Sequence, residues 1–298
     1  MKILVTGASG MVGSALTGGL RRDGHRVVRL VRPPGPVGPD AVSWDPAARA
    51  VDLDRLDDLD AVVHLAGENI GSGRWTARKK QRIRASRVEG TRLLCVALAR
   101  LRHPPPVLVA ASAVGFYGDR GDVVLDETHP AGSGFLASVC ADWEAAAEPL
   151  RACGARVIHL RFGVILDTGG GALARMLPPF RLGLGGRIGN GRQFMSWIAL
   201  DDAVTVITKA LAEPEWSGPI NAVSPSPVTN AEFSRTLARV LSRPAMLPMP
   251  AIVARLAFGE MADALLLVSH RVRPARLEAA GHLFRHPRLD EALRHLLG

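Results

Sequence analysis

The chain has 298 residues, 47% of them hydrophobic and 22% charged, enough to bury the core of one large domain or two modest ones. Its formal net charge is +9, yet lysine stands only at Lys2, Lys79, Lys80 and Lys209, and the remaining positive charge is arginine spread along the whole chain. With aromatics at 5% and Tyr117 the sole tyrosine, this excludes a clustered nucleic-acid surface, and no apolar run approaches the roughly 18 to 20 residues that cross a bilayer, so no membrane partner and a cytoplasmic location are expected.

The first segment, Lys2–Thr6, reads as a buried strand, and Met11 to Leu20 carry helical apolar spacing. Between them stand Gly7, Gly10 and Gly13. The first glycine lets the chain turn off the strand, the second lets backbone N–H groups approach a pyrophosphate, and the third permits close helix–sheet packing. That is a grip for a dinucleotide; the alternative is a tight strand–helix turn with no ligand. A second strand, Arg26–Val31, ends without the acidic residue that would bind a ribose 2′-hydroxyl. Arg32 follows instead, suited to the 2′-phosphate of NADP(H) through charge-assisted bonds, with a solvated surface arginine as the alternative.

A Pro/Gly loop at residues 33–39 comes next, then a strand at 61–65 and a long helix near 76–101. A strand at 107–111, a helix near 134–153 and the strand Arg156–Phe162 continue the alternation, which predicts a doubly wound parallel sheet of Rossmann type. Cys95, Cys140 and Cys153 show neither a disulfide framework nor zinc-site spacing, and Cys140 reads as a buried thiol. From Gly169 glycines recur, at 169–171, 183, 185, 186, 189 and 191, as in a flexible lid over a substrate or an ordinary irregular connection. A helix at 201–211, a strand at 219–223 and a helix at 230–241 capped by Thr229 or Asn230 follow. The expected division is residues 1–166 with about 195–223 in the nucleotide domain, and about 167–194 with 224–298 in a smaller C-terminal substrate domain. His270, His282, His286 and His295 share no face with metal-ligand spacing, so no metal site is expected.

The stretches Val5-Thr6-Gly7-Ala8-Ser9-Gly10 and His64-Leu65-Ala66-Gly67-Glu68-Asn69-Ile70, with residues 86–91, 111–118, 179–186 and 221–225, resemble the extended short-chain dehydrogenase/reductases. Within them the likeness is to the atypical branch of epimerase-family proteins of unknown substrate, and from about 248 the chain is similar to that branch's extra C-terminal module. The resemblance implies an NADP-type site built from Thr6, Gly7, Ser9, Gly10, Met11, Val12, Gly13, Arg32, Leu65, Ala66, Gly67 and Ser112. It also implies a substrate region near Asn69, Arg87, Arg181, Arg187, Arg192 and Trp197.

The superfamily's usual tyrosine, lysine and serine are missing: Leu136, Cys140 and Ala113 stand in their places, Arg87 replaces a supporting asparagine, and Glu144 alone is retained. Two other groups are candidates for proton transfer. Glu68 follows a strand on the cofactor side, with an ion pair to Arg74 or Arg87 as its structural alternative; Tyr117 is within reach of the pocket, with packing around one polar handle as its alternative. The expected function is an NADP(H)-dependent oxidoreductase or epimerase-like enzyme acting on a small, unidentified substrate. Its rival is a non-catalytic NADP(H)-binding redox sensor.

Overall fold

The structure, a computed structural model, describes residues 1–32, 38, 40–45, 50–51, 56 and 58–298. Its elements begin with β1 (Lys2–Thr6), α1 (Met11–Arg22), β2 (Arg26–Val31), β3 (Ala41–Asp45), β4 (Ala50–Val51), β5 (Ala61–His64) and α2 (Ala77–Ala99). The middle of the chain adds β6 (Val107–Ala113), β7 (Val124–Leu125), α3 (Phe135–Ala145), α4 (Glu148–Arg151), β8 (Arg156–Phe162), β9 (Val164–Leu166) and α5 (Gly171–Arg181). There follow β10 (Phe194–Met195), β11 (Trp197–Ala199), α6 (Leu200–Ala212), β12 (Gly218–Ala222), β13 (Val228–Thr229), α7 (Asn230–Val240), α8 (Ala251–Phe258), β14 (Arg271–Val272), α9 (Ala275–Ala279) and α10 (Leu289–Leu297).

Eight strands form the main sheet in the order β12-β8-β6-β5-β1-β2-β3-β4. Every pairing from β12 to β3 is parallel, and β4 closes the edge antiparallel to β3. Side chains alternate across it as the period of two requires. Ile3, Val5, Val63 and Val109 enter one core with Leu16 and Leu20 of α1 and Val206 and Ile207 of α6. Leu4, Val62 and Leu108 enter the other with Leu94 and Leu98 of α2 and Leu150 of α4. Both faces are thus covered by helices, the doubly wound arrangement expected from the sequence.

The strand order reverses at β1, with β2 on one side and β5 on the other. A crevice therefore opens beyond the C-terminal ends of β1 and β5, where open α/β sheets bind ligands. A third core joins Leu173 and Leu177 of α5, Trp197, Phe233 and Leu237 of α7, and Leu289 and Leu293 of α10. Helix α7 starts on a capping box in which Thr229 Oγ1 accepts from Glu232 N while the Glu232 carboxylate accepts from Thr229 N.

One expected element differs, and the main sheet has more strands than expected. The helix foreseen at 134–153 breaks into α3 and α4, because Pro149 has no N–H to continue the ladder. Strand β3 is additional; its Ala-Val-Ser-Trp-Asp follows the foreseen Pro/Gly loop at 33–39, which lies outside the described residues except for Gly38.

Candidate dinucleotide site

The glycine turn has the geometry its residue types require. Gly7 adopts φ +67°, and a Cβ there would lie 2.8 Å from the Leu65 carbonyl carbon. At Gly13 a Cβ would lie 2.2 Å from the Gly7 carbonyl oxygen, so only glycine lets α1 approach the turn so closely. Gly10 is different: a Cβ there meets nothing nearer than Gly7 O at 3.3 Å, which leaves its outer face open. Gly10 is also the N-cap of α1, with no side-chain cap and no acidic residue in the first turn. Gly10 N donates within the turn to Gly7 O at 3.0 Å, and the N–H groups of the uncapped first turn of α1 that follows are available to an anion.

Beside them lies an open cavity of about 650 Å³, lined by Ser9, Gly10, Met11, Asn69, Asp167 and the Gly169–Gly171 stretch among others. Asp167 went unnoticed in the sequence, and the glycines 169–171, read as the start of a lid or of an irregular connection, border this groove, with Gly170 and Gly171 against Met11. Val12 turns its side chain into the core under the turn.

The opposite wall is the end of β5. Thr6 Oγ1 accepts from both Leu65 N and Ala66 N at 3.1 Å, so its own proton goes to His64 Nδ1, 2.7 Å away. His64 is then the Nε2–H tautomer and donates to Thr91 Oγ1, 2.9 Å away, which also accepts from Trp143 Nε1. Burial holds the His64 pKa down at about 4, in keeping with a neutral ring. Thr6 thus shapes the wall formed by Leu65, Ala66 and Gly67 with a hydroxyl already committed to its neighbours. Ser112, also expected at the cofactor, likewise donates its hydroxyl elsewhere, to Glu144 Oε1 at 2.7 Å.

Arg32 is exposed at the end of β2, and its charge reaches Glu68. Arg87 lies under Gly67: a Cβ on that glycine would stand 3.4 Å from Arg87 Cζ. Its NH1 donates to the backbone carbonyl of Glu68 at 3.0 Å.

Both candidates for proton transfer are held by their surroundings. Glu68 Oε1 lies 2.7 Å from Lys79 Nζ and 3.2 Å from Arg82 NH2, and hydrogen bonding to Lys79 holds the carboxyl below its ordinary pKa. It is an ionised anchor, paired with neither Arg74 nor Arg87, and has no proton to donate near neutrality. Tyr117 is 0% exposed; its hydroxyl donates to Asn221 Oδ1 at 2.7 Å and accepts from Arg161 NH1 at 2.9 Å. Burial pushes its pKa up. Arg161 in turn grips Glu144 with two bonds of 2.8 Å, and its guanidinium lies 3.5 Å from the Phe116 ring centroid. Tyr117, Arg161, Glu144 and Asn221 are one buried polar network beneath the sheet ends, and spacing alone gave no sign that its parts would meet.

Several expected substrate residues also stand elsewhere. Trp197 is 0% exposed in the third core and donates Nε1–H to Ser226 O, so it closes no pocket. Arg181, Arg187 and Arg192 are exposed, and none lines the cavity beside α1. The glycine-rich segment that holds them is pinned: Leu184 bridges Ala245, Ile188 bridges Met249, and a Cβ on Gly186 would strike Leu247 O at 2.1 Å. Asn230 Oδ1 accepts from Ile188 N, and Gln193 Nε2 donates to Ile188 O and Leu266 O. Its glycines serve close packing, which fits the irregular connection and not the flexible lid of the two alternatives the sequence left open. Cys140 is buried as expected, its thiol pushed up to about 12 by desolvation. Leu136, in the place of the usual tyrosine, packs in an apolar cluster with Trp75, Phe135, Phe258 and Met261.

Residues 3–222 match the NAD dependent epimerase/dehydratase family. The chain belongs to that family. Residues 249–296 match a domain of unknown function, DUF1731, beginning where the extra module was expected. The epimerase family protein of Mycobacterium tuberculosis is 46% identical over 291 residues, covering 98% of this chain and 96% of that protein. The human epimerase family protein SDR39U1 is 39% identical over 300 residues, covering all of both chains. A crystal structure of the human protein with NADPH superposes with a TM-score of 0.91 at 38% identity, covering 99% of each chain. A nucleoside-diphosphate sugar epimerase from Corynebacterium glutamicum gives 0.82 at 38% identity, covering 100% of this chain and 58% of that one. Among the described residues of this family member, no helix is long and apolar enough to cross a membrane.

Proposed function

We propose that the chain binds NADP(H) in the crevice between β1 and β5 and uses it in hydride chemistry on a small substrate. The observation that carries this reading is the uncapped entrance of α1 behind a turn that only glycine allows, with Arg32 at the end of the adjacent strand. In the proposed complex, the backbone from Gly7 to Gly13, together with Ser9, receives the pyrophosphate. Arg32 receives the 2′-phosphate. Leu65, Ala66 and Gly67 form the wall, and Arg87 lies behind it. The crystal structure of the human relative with NADPH supports this assignment. When bound, the dinucleotide supplies a hydride donor or acceptor. The chain's own share is to bind and orient it, exclude water through the apolar cluster around Leu136, and hold the sheet ends rigid through the Tyr117 network.

A second reading has its own support. Glu68 is held as an anion and the Tyr117 hydroxyl already has two partners, so the groups best placed for proton transfer are committed. That favours a non-catalytic NADP(H)-responsive sensor. A screen of carbonyl and alcohol substrates for NADPH oxidation or NADP+ reduction separates the two. Saturable turnover that survives Tyr117→Phe supports the enzyme. Tight NADPH binding with no turnover across the screen supports the sensor, and absence of NADPH binding overturns both.

A further inference from the structure

The fold brings together two histidines that share no face in the sequence pattern. Asp201 stands in the first turn of α6, His286 precedes α10, and His295 lies in the last turn of α10. One ligand atom from each lies within 4.8 Å of the other two. His295 Nε2 is 2.9 Å from Asp201 Oδ2, and the His286 and His295 rings stack with centroids 4.3 Å apart and planes 21° apart. None of the three lines the cavity beside α1.

We propose that Asp201, His286 and His295 bind one divalent transition-metal ion of the zinc type, which clasps α10 to the start of α6. Two imidazole nitrogens and one carboxylate oxygen form a three-ligand set that suits zinc, with water in the fourth position, and is too poor in oxygen for magnesium or calcium. A tetrahedral ion with bonds of about 2.0–2.2 Å holds its ligand atoms roughly 3.4 Å apart, so the two imidazoles must turn out of their stack until both ring planes meet at the ion. The backbone beneath is already fixed. The buried Asp202 carboxylate accepts from Arg285 N at 2.7 Å and His286 N at 3.0 Å, setting the segment that carries His286. Leu289, Ala292 and Leu293 anchor α10 in the third core. Asp201 and His295 are nearly half exposed, so an ion can reach them from solvent.

The test uses the full-length chain without a histidine tag. Calorimetric titration with zinc is expected to show one ion per chain and a rise in Tm that magnesium does not reproduce. His295→Ala and His286→Ala are each expected to weaken zinc at least about tenfold, the low end of what disturbing even the partners of a ligand costs. Cobalt is expected to give ligand-field absorption that Asp201→Asn alters while NADPH binding stays as in the parent chain. Zinc binding unchanged in both histidine variants would place the ion elsewhere and overturn the proposal. So would the absence of saturable binding, which would leave Asp201 and His295 as a simple hydrogen-bonded pair.

Discussion

Tyr117 and Glu68 show how partners decide what a titratable group does. The Tyr117 hydroxyl joins Asn221 to Arg161 in a region closed to solvent. Tyr117→Phe would leave Asn221 Oδ1 and one Arg161 nitrogen without their shared partner, a loss of about 1–3 kcal/mol. Urea denaturation is expected to show that loss while the NADPH dissociation constant stays within twofold; a large loss of binding with stability intact would return Tyr117 to the cofactor. Glu68 is equally constrained, since Lys79 sits 11 positions later, on the helix that packs behind it. The sequence places both groups near strand ends but does not reveal which residues take up their hydrogen-bonding capacity, Lys79 on the next helix for Glu68 and the distant Asn221 for Tyr117.

At the level of elements, the β1–α1 junction was legible because its requirement is local. Gly7, Gly10 and Gly13 fall within seven consecutive residues, and backbone geometry demands glycine at Gly7 and Gly13 as foreseen. Gly13→Ala is expected to lower stability by about 1–3 kcal/mol through overpacking and to weaken NADPH strongly, because the Gly7 carbonyl must move out of the new methyl's way. Thermal melts and NADPH titration check it; a variant as stable and as tightly binding as the parent contradicts the packing. The glycine segment at 183–191 was harder to read. The same residue serves mobility and close packing alike, and only contacts with Leu247 and Met249, some 60 residues away, show which applies. Strand β3 was missed for a different reason: its five residues pair with β2 and β4, close by in the chain, but Ala-Val-Ser-Trp-Asp is too short and mixed a run to stand out as a strand.

Across the whole molecule, His64 and His159 are buried and His270 is partly buried, and desolvation lowers each from 6.5 to about 4. A depressed folded pKa means that the unfolded chain takes up protons the folded chain refuses. These groups therefore contribute full stability above about pH 6.5 and lose it progressively as the pH falls towards 4, with a slope approaching three protons. Denaturant unfolding at pH 7.5, 6 and 5 tests this, and a flat profile across that range contradicts it. The doubly wound parallel sheet, the glycine turn and the family were readable from alternating elements and short motifs, whereas the strand order and the meeting of Asp201 with His286 and His295 depend on how distant elements dock. The central claim is that the crevice is built for NADP(H), with Arg32 reading the 2′-phosphate. The measurement that tests it most directly is the dissociation constant for NADPH and for NADH, side by side, on the parent chain and on Arg32→Ala. The parent is expected to prefer NADPH by at least about tenfold, in line with a charge-assisted pair of ~1.5–3 kcal/mol, and the variant is expected to lose that preference while still binding NADH. Equal affinities in the parent, or a preference that survives in the variant, would contradict the account.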